Sequence, residues 1–246
     1  MSKLFSTPDE LQQIADILRG YLKLPFTEIS VPGAMMEAII SNVRHAEVMR
    51  TYDFVDVVDT IGKVGWQVKS TKASTPLTWK RAKIRNRTEL IEASRKSDAG
   101  LQALGDEIIN FCNEHAKESM EKYDLNEIGY ARLVVHDNGE LMYFERRLCT
   151  KDNPVVFKHG DYTWKWATPK VTTKKEQLPA LHGTDKKTGA KVFAWHGLGE
   201  NQLHYSGEKV WWPQDGDEHV IKFKAPSDTA RISYERFAEI LATLAD

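Results

Sequence analysis

A chain of 246 residues with 41% hydrophobic and 10% aromatic side chains carries enough apolar material for a real core, which excludes a disordered or fibrous polymer. Its net charge of −1 excludes polyanion binding by bulk electrostatics, so any nucleic-acid role must come from charge gathered locally. The two cysteines, Cys112 and Cys149, form neither a metal-binding spacing nor a disulfide framework, which favours a reducing compartment.

The opening residues, "MSKLFSTPDE", lack the apolar run of a secretory signal, and no stretch reaches membrane-spanning length, so the expectation is a soluble, cytoplasmic protein. "STPDELQQIADILRGYL" predicts a first helix, with Thr7 as N-cap, Pro8 at the first helical position and Glu10 three residues beyond the cap. Leu11, Ile14, Ile17, Leu18 and Leu22 follow at helical spacing. A second helix is expected from near Pro32, with Met36, Ile39, Ile40 and Val43 on one face and Glu37 beside that face. The period then changes: short β-branched runs flank Thr60-Ile61-Gly62-Lys63 and predict a β-hairpin. "KASTPLTWKRAKIRNR" reads as a basic loop leading towards a helix in Thr88–Ser97. A long helix is expected with Leu101, Leu104, Ile108, Phe111 and Cys112 on one stripe. A second hairpin turns at Asp137-Asn138-Gly139.

Beyond Thr150, short aromatic strands alternate with glycine and lysine turns, and Ser233–Leu244 predicts a last helix packing Phe237, Ile240, Leu241 and Leu244. The order of elements predicts an α/β protein with a mixed central sheet flanked by helices and a β-rich C-terminal lobe, divided into residues 1–150 and 151–246.

The first hairpin gathers chemistry. If its turn has two residues, Thr60 pairs with Lys63 and Asp56 faces Gln67, on the same side of the sheet and roughly 5 Å apart at Cβ. Lys69 shares that side because strands alternate with period two, while Asp59 and Trp66 point the other way. Asp56 offers a hard anionic oxygen suited to Mg²⁺ and Gln67 a neutral one. Lys69 can steady an attacking water or the charge developing on a phosphate. Glu37, from the neighbouring helix, is the carboxylate placed to complete an oxygen-rich metal site at which water attacks a phosphodiester in line.

These residues, Glu37 within "GAMMEAII", Asp56 within "FVDVVD" and Gln67-Val68-Lys69, resemble the PD-(D/E)xK nuclease family, which includes many type II restriction endonucleases. In that family a helical glutamate precedes a hairpin that carries an aspartate and then an acidic-x-lysine pair. Here no proline precedes Asp56, and glutamine replaces the usual acid, a Gln-x-Lys variant that some restriction enzymes share. The resemblance covers roughly residues 30–148. It implies a restriction-endonuclease-like core and a Mg²⁺-dependent endonuclease that cuts double-stranded DNA at a specific sequence, leaving a 5′-phosphate and a 3′-hydroxyl. A palindromic target cut on both strands implies a homodimer.

Lys63, Lys69, Lys72, Lys80, Arg81, Lys83, Arg85 and Arg87 place eight positive charges within residues 63–87, with no acidic residue among them. Such a cluster can hold phosphates, and Lys72, Ser74, Thr78, Lys80, Arg81 and Lys83 are the expected DNA contacts. Trp79 is expected to anchor the segment in the core.

Other chemistries find less support. No His-x-x-x-His spacing, nucleophile elbow or glycine-rich phosphate loop is present, so no nucleotide cofactor is expected. Trp164, Trp166, Trp195, Trp211 and Trp212 either fill the core of the C-terminal lobe or line a pocket for an extruded base. Lys158, Lys165, Lys170, Lys174 and Lys175 lie near them in sequence, as cations for DNA contact. Two other functions fit the same core: a repair, recombination or phage nuclease that selects DNA by structure, and a non-catalytic DNA-binding protein.

Overall fold

The computed structural model of the protein describes residues 3–168, 171, 172, 175, 176 and 178–243. In chain order the elements are α1 (Pro8–Leu22), α2 (Gly33–Val43), β1 (Glu47–Val48), β2 (Val57–Asp59), β3 (Val64–Lys72), β4 (Leu77–Arg81), α3 (Arg87–Ser94) and α4 (Asp98–Lys122). Next come β5 (Glu127–Val135), β6 (Glu140–Thr150), β7 (Tyr162–Trp166), β8 (Val171–Thr172), β9 (Lys175–Glu176) and β10 (Leu181–Asp185). The chain ends with β11 (Lys191–Trp195), β12 (Gln202–Tyr205), β13 (Val220–Lys224) and α5 (Tyr234–Ala242). The fold is mixed α/β, as the sequence predicts. Lys170, Lys174 and Leu244 lie outside the described residues.

Residues Met1–Thr75, Met120–Leu148 and Pro213–Asp246 form one compact unit. Its sheet has six strands in the order β1-β2-β3-β5-β6-β13, with β3 and β5 parallel. A parallel pair needs a long crossover, here the chain between Ala73 and Asn126. Helix α1 starts on a reciprocal cap: the Glu10 N–H donates to Thr7 Oγ1, and the Thr7 N–H donates to Glu10 Oε2. Ile14 and Leu18 of α1 and Met36, Ile39 and Ile40 of α2 pack on one sheet face, against Val64, Trp66 and Val68 of β3 and Ala131 and Leu133 of β5. The Trp66 indole N–H donates to the Leu4 carbonyl at 3.0 Å, so its one polar group is satisfied inside that core.

Pro76–Ser119 and Cys149–Trp212 form the second unit, around a five-stranded antiparallel sheet in the order β4-β12-β11-β10-β7. Its core is aromatic: Trp164 stacks on Phe193 at 5.7 Å, and Trp79 meets Phe157 and Tyr205 edge-on at 5.2 and 5.5 Å. Trp164 and Trp195 are thus buried filling of this lobe, and Trp166 Nε1 donates to Ser94 Oγ.

Three expectations need correction. The boundary near residue 150 is replaced by an interleaved arrangement, because β4 hydrogen-bonds with β12 and β13 pairs with β6. The basic loop contains a strand, β4, in which buried Leu77 and Trp79 alternate with exposed Thr78. Helix α5 begins at a Ser233 cap but buries none of its residues. Only Phe237 is half-buried, edge-on to Phe26, while Ile240 and Leu241 are exposed. Among the described residues, no helix is long and apolar enough to cross a membrane.

Candidate active site

The hairpin register is the one a two-residue turn requires: Val57 lies opposite Trp66, Val58 opposite Gly65 and Asp59 opposite Val64. Asp59 Oδ1 accepts the Gly62 N–H at 2.7 Å, so this carboxylate caps the turn and takes no part in the site. Asp56 stands one residue before the ladder, with its N–H donated to the Trp66 carbonyl at 2.8 Å. Its side chain folds over the neighbouring strand: Oδ2 accepts the Val68 N–H at 2.7 Å and lies 3.4 Å from Lys69 Nζ. With side-chain exposures of 26% for Asp56 and 18% for Lys69, the pair is screened by little water yet still reachable.

Strand β3 explains why a lysine can stand there. Its first five residues are buried and the strand opens to solvent from Lys69 onward, so the ammonium leaves the core where the sheet does. Ser70 Oγ donates to the Val31 carbonyl at 2.5 Å, tying β3 to the segment that leads into α2. Half-buried Glu37 stands on that helix, and its carboxyl is pushed above the usual range by burial first and the Asp56 charge second, with Lys69 opposing. The structure therefore brings Asp56 and Lys69 into contact and places Glu37 within electrostatic reach of both.

Gln67 shares the Lys69 side of the strand and is 0% exposed. Neither its amide oxygen nor its amide nitrogen has a hydrogen-bond partner among the described residues. Burying an amide in that state costs roughly 1–3 kcal/mol, which a strand would avoid with any apolar residue of similar size. Among the described residues, no group of three or more His, Cys, Asp or Glu side chains is placed to hold a metal ion. The hairpin offers the Asp56 carboxylate and the Gln67 carboxamide, and helix α2 adds the Glu37 carboxyl.

Two further features escape the sequence reading. Arg132 of β5 lies beside Lys69 in register, is buried, and donates to Thr71 Oγ1 at 2.9 Å and to the Leu133 carbonyl. An arginine inside the apolar run "YARLVV" was the available signal. Asp53 holds the segment before Asp56: its carboxylate accepts from Lys122 at 2.8 Å, from Tyr123 OH at 2.6 Å and from Thr51. Burial opposes its ionisation, yet these three donors lower the carboxyl to about 2.

The expected DNA contacts are divided between the units. Lys72 and Ser74 are exposed at the end of β3 and in the turn after it, in the first unit. Thr78, Arg81 and Lys83 are exposed on or just beyond β4, in the second. Lys80 is half-buried and close enough to Cys112 to oppose the burial that pushes this thiol up to about 12. No family model, curated protein or solved structure matches the chain.

Proposed function

We propose that the protein is a Mg²⁺-dependent endonuclease that hydrolyses phosphodiester bonds in double-stranded DNA at a specific sequence, in the manner of type II restriction enzymes. The observation that carries this reading is the junction of Asp56 and Lys69 across a hairpin in the required register, beside a buried Gln67 amide with no partner among the described residues.

The donor set fits a hard divalent cation: Asp56 and Glu37 would supply carboxylate oxygens and Gln67 the amide oxygen it leaves unused. When bound, Mg²⁺ supplies Lewis-acid stabilisation of the charge gathering on the scissile phosphate. Lys69 Nζ, steadied by Asp56, orients the attacking water and meets the same charge from the protein side. Glu37, whose carboxyl is raised above the usual range by burial and the Asp56 charge, is the carboxylate whose ionised form a nearby cation would favour. If both strands of a palindrome are cut, one site per chain requires a two-fold homodimer.

Incubating the protein with plasmid and Mg²⁺, then sequencing the fragment ends, tests the proposal. A fixed ladder with 5′-phosphates is expected, whereas cutting only at junctions or ends would indicate a structure-selective nuclease. The glutamine in place of an acid favours one further reading, a DNA-binding protein on a nuclease core without turnover. Lys69→Ala separates the two: an enzyme loses at least about 10²-fold in cleavage rate while still shifting DNA on a gel. Unchanged cleavage by this variant would remove Lys69, and with it the mechanism.

A further inference from the structure

The five-stranded sheet of the second unit has two unlike faces. Its registers align Trp164, Gly183, Phe193, Tyr205 and Leu77 on one side, and those large side chains are buried. The same registers align Lys165, His182, Ala194, His204 and Thr78 in a row across all five strands on the other side. Four steps of about 4.8 Å carry this row across about 19 Å. Beside it, His196, whose N–H donates to the Gln202 carbonyl, continues to Gln202 and on to Arg81. The His196 and His204 rings lie 5.1 Å apart, edge to face, which confirms that the two rows share a surface. Each of these residues is exposed or half-buried.

Neither row contains a carboxylate; beside them, Glu200 accepts from Gln202 Nε2 at 2.7 Å. Lysine, arginine, imidazole, hydroxyl and amide groups are the donors that position phosphate oxygens. Ala194, small and flanked by His182 and His204 on the adjacent strands, leaves a seat with an imidazole on either side. No Phe, Tyr, Trp or large aliphatic side chain stands in the rows, so lipid chains would find nothing to lie on.

We propose that this face docks the phosphate backbone of duplex DNA through Lys165, His182, His204, Thr78 and Arg81. The proposal deepens the nuclease reading, from which it takes the duplex as occupant.

The test is fluorescence anisotropy of a labelled 20-base-pair duplex with the full chain in EDTA, over a salt series. Lys165→Glu should weaken binding at least about fivefold and lower the log–log salt slope by about 1. Lys117→Glu, the same charge change at an exposed position of helix α4, should leave affinity within about twofold. No duplex binding by the parent, equal weakening by the two variants, or tighter binding of a single strand or of anionic vesicles would overturn it. Plasmid cleavage by the parent that persists alongside unchanged binding in Lys165→Glu removes the docking face and leaves the nuclease reading. Weakened binding in Lys165→Glu with no cleavage by the parent does the reverse.

Discussion

At Gln67 the apolar alternative is easy to imagine, and comparing the two decides what the amide is for. The side chain is buried without a hydrogen bond among the described residues, so replacing it by methionine, close in shape, removes a desolvation penalty without opening a cavity. Gln67→Met should therefore gain about 1–3 kcal/mol of stability in EDTA and lose any Mg²⁺-dependent rise in Tm that the parent shows. Thermal melts with and without Mg²⁺ measure both effects, and a destabilised variant would mean that the amide is satisfied in the folded protein. Glu37 makes a related case through pH. Its folded carboxyl titrates above the ordinary value of 4.5, so as pH rises past that value the unfolded chain loses its proton first, and the penalty on the native state grows until its own carboxyl ionises and stays constant above that. Below that window the group is neutral in both states and contributes nothing. Glu37→Gln should thus be more stable than the parent at pH 8 and indistinguishable from it near pH 4, as urea melts at the two values would record.

The elements differ in how openly the sequence displays them. The capping box of α1, the stripe of α2 and the register of the β2–β3 turn follow from local spacing, whereas the expected pairing of Asp56 with Gln67 does not form, because Asp56 stands outside the ladder and donates its N–H to the Trp66 carbonyl. Strand β4 is hard to see in the sequence because hydroxyls and cations surround its two inward side chains, Leu77 and Trp79, and mask the period-two alternation. The unpaired state of the Gln67 amide among the described residues is not legible either, since it is a property of packing. Helix α4 carries a similar hidden constraint at Gly105. A methyl group there would lie 2.1 Å from the Trp164 ring, whose other side rests on Gly183 at 2.8 Å from where a side chain would begin. Alanine would add about 0.5–1 kcal/mol of helix propensity, but displacing a buried indole costs more. Gly105→Ala is expected to destabilise the protein by about 2–3 kcal/mol, seen as a lower urea midpoint at unchanged slope. A neutral or stabilising result would show that Trp164 has room to move.

For the whole molecule, the decisive contacts join residues far apart in sequence, which is why a boundary near residue 150 looked natural and is incomplete. Residues 1–150 contain the β2–β3 hairpin and most of the first sheet. They lack β13, which pairs Val220 with Phe144 through Lys224 with Glu140 and brings Phe223 into the helix-covered core. They also retain Pro76–Ser119 without β12, the strand that covers β4. Such a fragment exposes an unpaired edge on each of β4 and β6 and leaves Leu77 and Trp79 without Tyr205. Its lost apolar burial is a large share of the few kcal/mol that separate folded from unfolded chains. A fragment of residues 1–150 should therefore give a collapsed amide spectrum and no cooperative melt, whereas the full chain melts cooperatively. A folded fragment of that length would mean that the unit carrying the β2–β3 hairpin is sequential after all, and that the return of β13 to the first sheet is dispensable.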